Sequence, residues 1–83
     1  MKKGKELFLI NLKEGEGVEI ISILGGQMVT KRLADLGLTP ETKIKVLRRA
    51  PFRGPIEIEV RGSKLVLGRG LASKILVKRY EPR

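Results

Sequence analysis

The run Ile56-Glu57-Ile58-Glu59-Val60 alternates apolar and acidic residues without a break. A side-chain period of two belongs to a strand with one face buried and the other in water, and a helix cannot segregate such a pattern. Pro55 bounds the run in front and Gly62-Ser63 behind. Glycine first in a two-residue connection suits a type II′ turn, so Lys64 to Leu67 is expected to return as the second strand of a hairpin. Upstream, Lys43 to Ala50 alternates through Ile44 and Val46 before turning basic, which makes it another half-buried strand. Between the two, Pro51-Phe52-Arg53-Gly54-Pro55 brackets a glycine with prolines and is expected to be a stiff loop, because proline cannot donate to a ladder.

The first half of the chain carries one more strand and the only helical period. Leu7 to Ile10 is apolar enough to begin a strand, with Leu9 and Leu12 anchoring a turn into the loop marked by Gly15 and Gly17. Val18 to Leu24 is rich in β-branched residues, but Ile23 falls out of phase with Val18 and Ile20, as a bulge near Ile21-Ser22 would produce. From Gln27 to Leu36 the period changes, and Val29, Leu33 and Leu36 fall on one helical face. Gly37 suits a left-handed helix end, Leu38 is placed to touch Leu33 across it, and Pro40 forbids continuation. At the front only Gly26 is available as a cap. After Gly68-Arg69-Gly70, Leu71 to Lys74 has room for one helical turn before Ile75 to Val77 closes as a last strand. Consecutive short strands with one helix inserted predict a mainly β fold, a small, partly open SH3-like barrel of about five strands. Glu57 and Glu59 then face water opposite Lys43 and Lys45, each pair adding about 0.2–1 kcal/mol.

Eighty-three residues suffice for one domain with a thin stability margin. The expected boundaries are a basic arm at 1–6, the domain at 7–80 and a tail at 81–83. No window holds the roughly 20 apolar residues of a membrane-spanning helix, and a basic N-terminus without a long apolar core does not read as an export signal. The expected address is the cytoplasm. With no cysteine and no histidine, the chain lacks thiolate nucleophiles, disulfides, the commonest metal ligand and the usual neutral-pH base. Asp35 is the one aspartate and the glutamates are scattered, so paired-carboxylate chemistry has no visible site. These absences point away from an enzyme and from any cofactor, and towards a binding module.

A net charge of +9 favours nucleic acid, an anionic membrane surface or an acidic protein as partner. The feature that folding explains least is Arg48-Arg49-Ala50-Pro51-Phe52-Arg53, where guanidinium groups and an aromatic gather on a stiff loop. Arg48, Arg49, Phe52 and Arg53 are therefore candidates for a partner contact. The alternative is a solvated loop with Phe52 tucked into the barrel end. Arg32 and Leu36 are further candidates, if the helix lies partly off the barrel and leaves a groove for a peptide. Against this, Leu33, Leu36 and Leu38 fit a helix-to-barrel core, and Lys31 and Arg32 suit the negative end of the helix dipole.

These positions compose an ordered string. It runs Leu9-x-x-Leu12-x-x-Gly15, then Gly25-Gly26 and Lys31-Arg32-Leu33-x-x-Leu36-Gly37-Leu38-x-Pro40, then Ala50-Pro51 with Gly54-Pro55-Ile56, and last Leu65-x-Leu67, Ala72 and Ile75-x-Val77. The string resembles the FeoA family, small cytoplasmic proteins of bacterial ferrous-iron uptake, whose SH3-like domain also occurs at the C-terminus of some metal-dependent repressors. The chain departs from the family in having Pro40-Glu41 where Pro-Gly is usual, and Gly68-Arg69-Gly70-Leu71 where polar residues are usual. The resemblance implies an accessory role at FeoB, the membrane GTPase that carries ferrous iron, with the chain binding FeoB rather than iron. One of the loop arginines is then a conceivable finger on the transferring phosphate.

Two other partners follow from charge alone. A basic β-barrel could bind nucleic acid, although Phe8, Phe52 and Tyr80 are the only aromatics available to stack on bases. Lys2, Lys3, Lys5, Lys78, Arg79 and Arg83 could also draw the chain to the anionic inner leaflet.

Overall fold

The alternating run is β4 (Ile56–Val60), in which Ile56, Ile58 and Val60 are buried while Glu57 and Glu59 lie on the outer face. The structure, a computed structural model, describes residues 6–79. Lys2, Lys3, Lys5, Tyr80 and the tail at 81–83 lie outside the described residues. In chain order, β4 is preceded by β1 (Leu7–Phe8), a 3-10 turn at Leu9–Asn11, β2 (Gly17–Ile23), α1 (Gly26–Asp35) and β3 (Lys43–Arg49). It is followed by β5 (Ser63–Leu67), α2 (Arg69–Ala72) and β6 (Ile75–Arg79). The strands form one six-stranded antiparallel sheet in the order β1-β6-β2-β3-β4-β5. β1 and β5 are not paired with each other, so the barrel is partly open. The extra strand beyond the expected five is the two-residue β1, which adds to the edge of β6.

One face of the curved sheet carries the core. Val18, Ile20, Ile44, Val46, Leu67, Ile75 and Val77 join the β4 residues there, and Leu9, Leu12, Leu33, Leu38 and Ala72 close over them. Burial of each large aliphatic side chain contributes about 1.5–3 kcal/mol. The expected bulge in β2 is present: the register against β6 shifts between Ile20 and Ser22, which explains the change of phase at Ile23. A second bulge lies in β3, between Val46 and Arg48. Before it, Lys43 and Lys45 face out; after it, Arg48 faces out and Arg49 is half-buried. Glu59 therefore faces Lys45, and Glu57 faces Arg48 in place of a lysine.

The β4–β5 turn differs from the expected one by a residue. Its central residues are Arg61 and Gly62, both at positive φ (51° and 80°), a type I′ geometry in place of type II′ at Gly62-Ser63. Hydrophobic alternation could not choose between them, because either register keeps Leu65 and Leu67 on the face of Ile56, Ile58 and Val60. The observed register pairs every residue of β4, from Ile56↔Leu67 to Val60↔Ser63. It also carries the Arg61 guanidinium to the turn that ends α1, where Nη1 donates to the Gly37 carbonyl at 3.0 Å. Glu41 stands at φ 76°, a left-handed position that glycine would take without the strain of a Cβ.

α1 is held by little. Leu33 is its only buried residue and Val29 is half-buried. Leu36, expected on the same face, is 40% exposed because the helix ends at Asp35 and the turn brings Leu38 into the core in its stead. That end is a Schellman turn: Leu38 N–H donates to the Leu33 carbonyl at 2.9 Å and Gly37 N–H to the Ala34 carbonyl at 2.9 Å. The N-cap is Gly25 rather than Gly26, which is itself the first helical residue. Gly37 has φ 87°, and a Cβ there would lie 3.1 Å from Arg61 Nη1. Gly37→Ala is expected to cost about 1–2 kcal/mol through left-handed strain, measured by urea denaturation. An unchanged denaturation midpoint would show that the turn carries no such strain.

Candidate functional site

The loop after β3 is built outward from its arginines. The bulge at Leu47 reverses the phase of the strand, so that Arg48 faces out and Arg49 in. Arg49 turns in: its Nη1 donates to the Leu12 carbonyl at 2.7 Å, and its backbone N–H donates to Glu14 Oε2 at 3.1 Å. Those bonds tie the end of β3 to the segment after the 3-10 turn, already stitched to β3 by Gly15 N–H to Val46 O at 2.8 Å. Arg49 thus has a structural use, whereas Arg48 and Arg53 are exposed.

Beyond Arg49 the chain makes a tight turn. Ala50 N–H donates to the Pro55 carbonyl at 3.0 Å, and Gly54 N–H to the Pro51 carbonyl at 3.1 Å. The central residues are Phe52 and Arg53, both left-handed at φ 55° and 62°. For side chains of this size that conformation costs about 1–2 kcal/mol each. Gly54 is required by close approach, since a Cβ would lie 2.7 Å from the Ala50 Cβ. The result is that Phe52 is 97% exposed. It is not tucked into the barrel end.

At the foot of this loop the outer face of β3, β4 and β5 has an open depression lined by Arg48, Ala50, Pro55, Glu57 and Val66. Val66 is 61% exposed there, next to Glu57 in register. Arg48, Phe52 and Arg53 therefore belong to one end of the sheet, and Val66, to which no sequence pattern drew attention, joins them. Arg32 and Leu36 do not: Arg32 lies exposed on α1 and Leu36 at the cap that follows it. A second open groove does run beside α1, lined by Ile23, Gly26, Gln27, Thr30, Lys31 and Ala34, and neither Arg32 nor Leu36 lines it.

One further charged group is held locally. Glu16 accepts from the Lys13 N–H at 2.8 Å and from Arg79 Nε at 2.9 Å. The Lys13 N–H, then the Arg79 guanidinium, hold its carboxyl below the ordinary glutamate value. Among the described residues no three carboxylates converge as a metal site would require, and no helix is long and apolar enough to cross a membrane.

Residues 8–79 match the family model of the FeoA domain. A Methanocaldococcus jannaschii protein named for Fe(2+) transport, as transport protein A, is 41% identical over 69 residues, covering 83% of this chain and 82% of its own length. The crystal structure of an iron uptake regulatory protein (FeoA) superposes with a TM-score of 0.81 at 33% identity, covering 92% of this chain and 99% of its own. A manganese-dependent transcriptional repressor in complex with manganese has a TM-score of 0.84 at 20% identity, covering 95% of this chain and 39% of its own, a likeness of fold alone.

Proposed function

The chain belongs to the FeoA family of ferrous-iron transport proteins, with its SH3-like β fold, and on that premise we propose that it is a non-catalytic accessory protein that docks on the FeoB membrane GTPase from the cytoplasm. The observation that carries this reading is Phe52, 97% exposed on a left-handed backbone beside Arg53. An aromatic held in water at a conformational cost gains nothing for folding, and aromatics and arginines are the residues enriched at protein interfaces. Arg48 and Arg53 add positive charge around it, and a net charge of +9 favours an acidic surface as partner. Iron is then the partner's cargo. Without histidine or cysteine the chain lacks the imidazole and thiolate donors that commonly hold iron. Weak attraction to anionic lipid, through exposed Lys78 among others, would concentrate the chain beside the membrane.

The competing reading is a small basic β-barrel that binds nucleic acid. It draws on the same charge but finds only one exposed aromatic among the described residues, since Phe8 is half-buried. Base stacking along a strand calls for several. Co-purification tests both. The tagged chain is expected to be recovered with FeoB from membranes that contain it; equal recovery from membranes lacking FeoB would contradict the proposal. Salt-sensitive, submicromolar binding of single-stranded DNA or RNA would favour the other reading.

A further inference from the structure

Among the described residues β5 is the last strand of the open sheet, with β4 on one side and no strand on the other. A hairpin with two connecting residues, Arg61 and Gly62, makes Val60 and Ser63 a hydrogen-bonded pair. Antiparallel pairs alternate, so Ser63, Leu65 and Leu67 direct their N–H and C=O groups to β4, while those of Lys64 and Val66 point to the free edge. Neither Lys64 nor Val66 has a hydrogen bond from its backbone to any other element among the described residues. Of the devices that usually blunt an edge, β5 carries one lysine, Lys64, but neither proline nor bulge, and its register against β4 is unbroken.

We infer that this edge receives an extended acidic segment of a protein partner, which adds to β5 as a further strand through the backbone of Lys64 and Val66. The inference rests on the reading that the chain docks on a protein, and it supplies the mode of docking. Charge chooses the occupant. A second copy would bring another net charge of +9 to the same edge, with Lys64 doubled across it. An acidic strand meets the opposite situation, with carboxylates beside Lys64. On the outer face, its neighbouring side chain lies by Val66 and the depression that Arg48, Ala50, Pro55 and Glu57 line, where an apolar or uncharged residue fits better than a further carboxylate. On the inner face, an alternate apolar side chain covers the half-buried Leu65. Glu57 and Glu59 sit on β4, roughly two strand spacings (~10 Å) from the added strand, opposite Arg48 and Lys45. The depression begins at the foot of the Phe52 loop, so loop and edge make one continuous surface.

The test uses the full chain, labelled for amide hydrogen exchange, and the synthetic hexapeptide acetyl-Val-Glu-Val-Glu-Val-Glu-amide. Exchange at the Lys64 and Val66 amides is expected to slow about tenfold or more at saturation. A peptide with lysine for glutamate, or with alternate amides N-methylated, is expected to produce no slowing. Val66→Pro removes an edge-facing N–H and no bond to β4, and is expected to lower peptide affinity about tenfold. Lys64→Glu, which leaves the backbone untouched, is expected to lower it several-fold in low salt. Unchanged exchange at both amides with the acidic peptide would overturn the inference, as would equal affinity for the N-methylated one. Co-purification with FeoB alongside unslowed amides would sink this inference alone. Slowed amides without co-purification would sink the family-based partner and leave the edge standing.

Discussion

Phe52→Ala is expected to weaken binding of the chain to FeoB about 30- to 700-fold, the equivalent of roughly 2–4 kcal/mol for a central interface anchor. The same variant is expected to unfold within about 0.5 kcal/mol of the parent, because a side chain 97% exposed has almost no core contact to lose. Phe52→Gly sharpens the separation. Glycine takes φ 55° without the strain of a Cβ, so this variant is expected to be no less stable than the parent while binding is lost. Calorimetric titration and urea denaturation of the three proteins, run side by side, check both halves. A stability loss that parallels the loss of binding would mean that Phe52 serves the fold.

Leu33→Ala is expected to cost about 2–5 kcal/mol, the range for removing a large buried aliphatic side chain. That is a large share of the roughly 4–12 kcal/mol total expected for a chain of this length. Leu33 is the only buried residue of α1, fully enclosed, and its carbonyl also accepts the Leu38 N–H of the Schellman turn. The loss is expected to fall first on α1: in amide hydrogen exchange, residues 26–35 lose protection while β3 and β4 retain it. Because Phe52 and Arg53 lie on the β3–β4 connection, affinity for FeoB should change little in the fraction that stays folded. A uniform loss of protection across the sheet would show that α1 and the barrel unfold as one unit.

What the sequence could disclose depended on whether one residue pattern had one structural solution. Ile56 to Val60 had one, and so did the glycine, leucine and proline sequence that ends α1. The phase change between Ile20 and Ile23 likewise left a bulge as its natural resolution. The pattern was silent where two solutions kept the same residues buried. The β4–β5 turn is such a place, since Gly62 can stand first in one turn type or second in another. Arg48 and Arg49 are another: adjacent strand residues must face opposite ways, and only the bulge at Leu47 decides which goes in. Phe52 was legible as a candidate but not in its direction, because neither phenylalanine nor arginine favours the left-handed backbone that both adopt here. Val66 gave no signal at all, being one more apolar residue in a strand until the open edge of the sheet was known.

The account's central claim is that the partner meets the chain at the end of the β3–β4–β5 surface. It is tested most directly by mapping amide resonances of the labelled full chain on addition of FeoB in lipid nanodiscs. The predicted result is selective broadening at Arg48, Phe52 and Arg53, extending to Lys64 and Val66, with Gln27, Thr30 and Lys31 beside α1 unaffected. Broadening confined to the α1 groove, or none at concentrations where the two proteins co-purify, would contradict it.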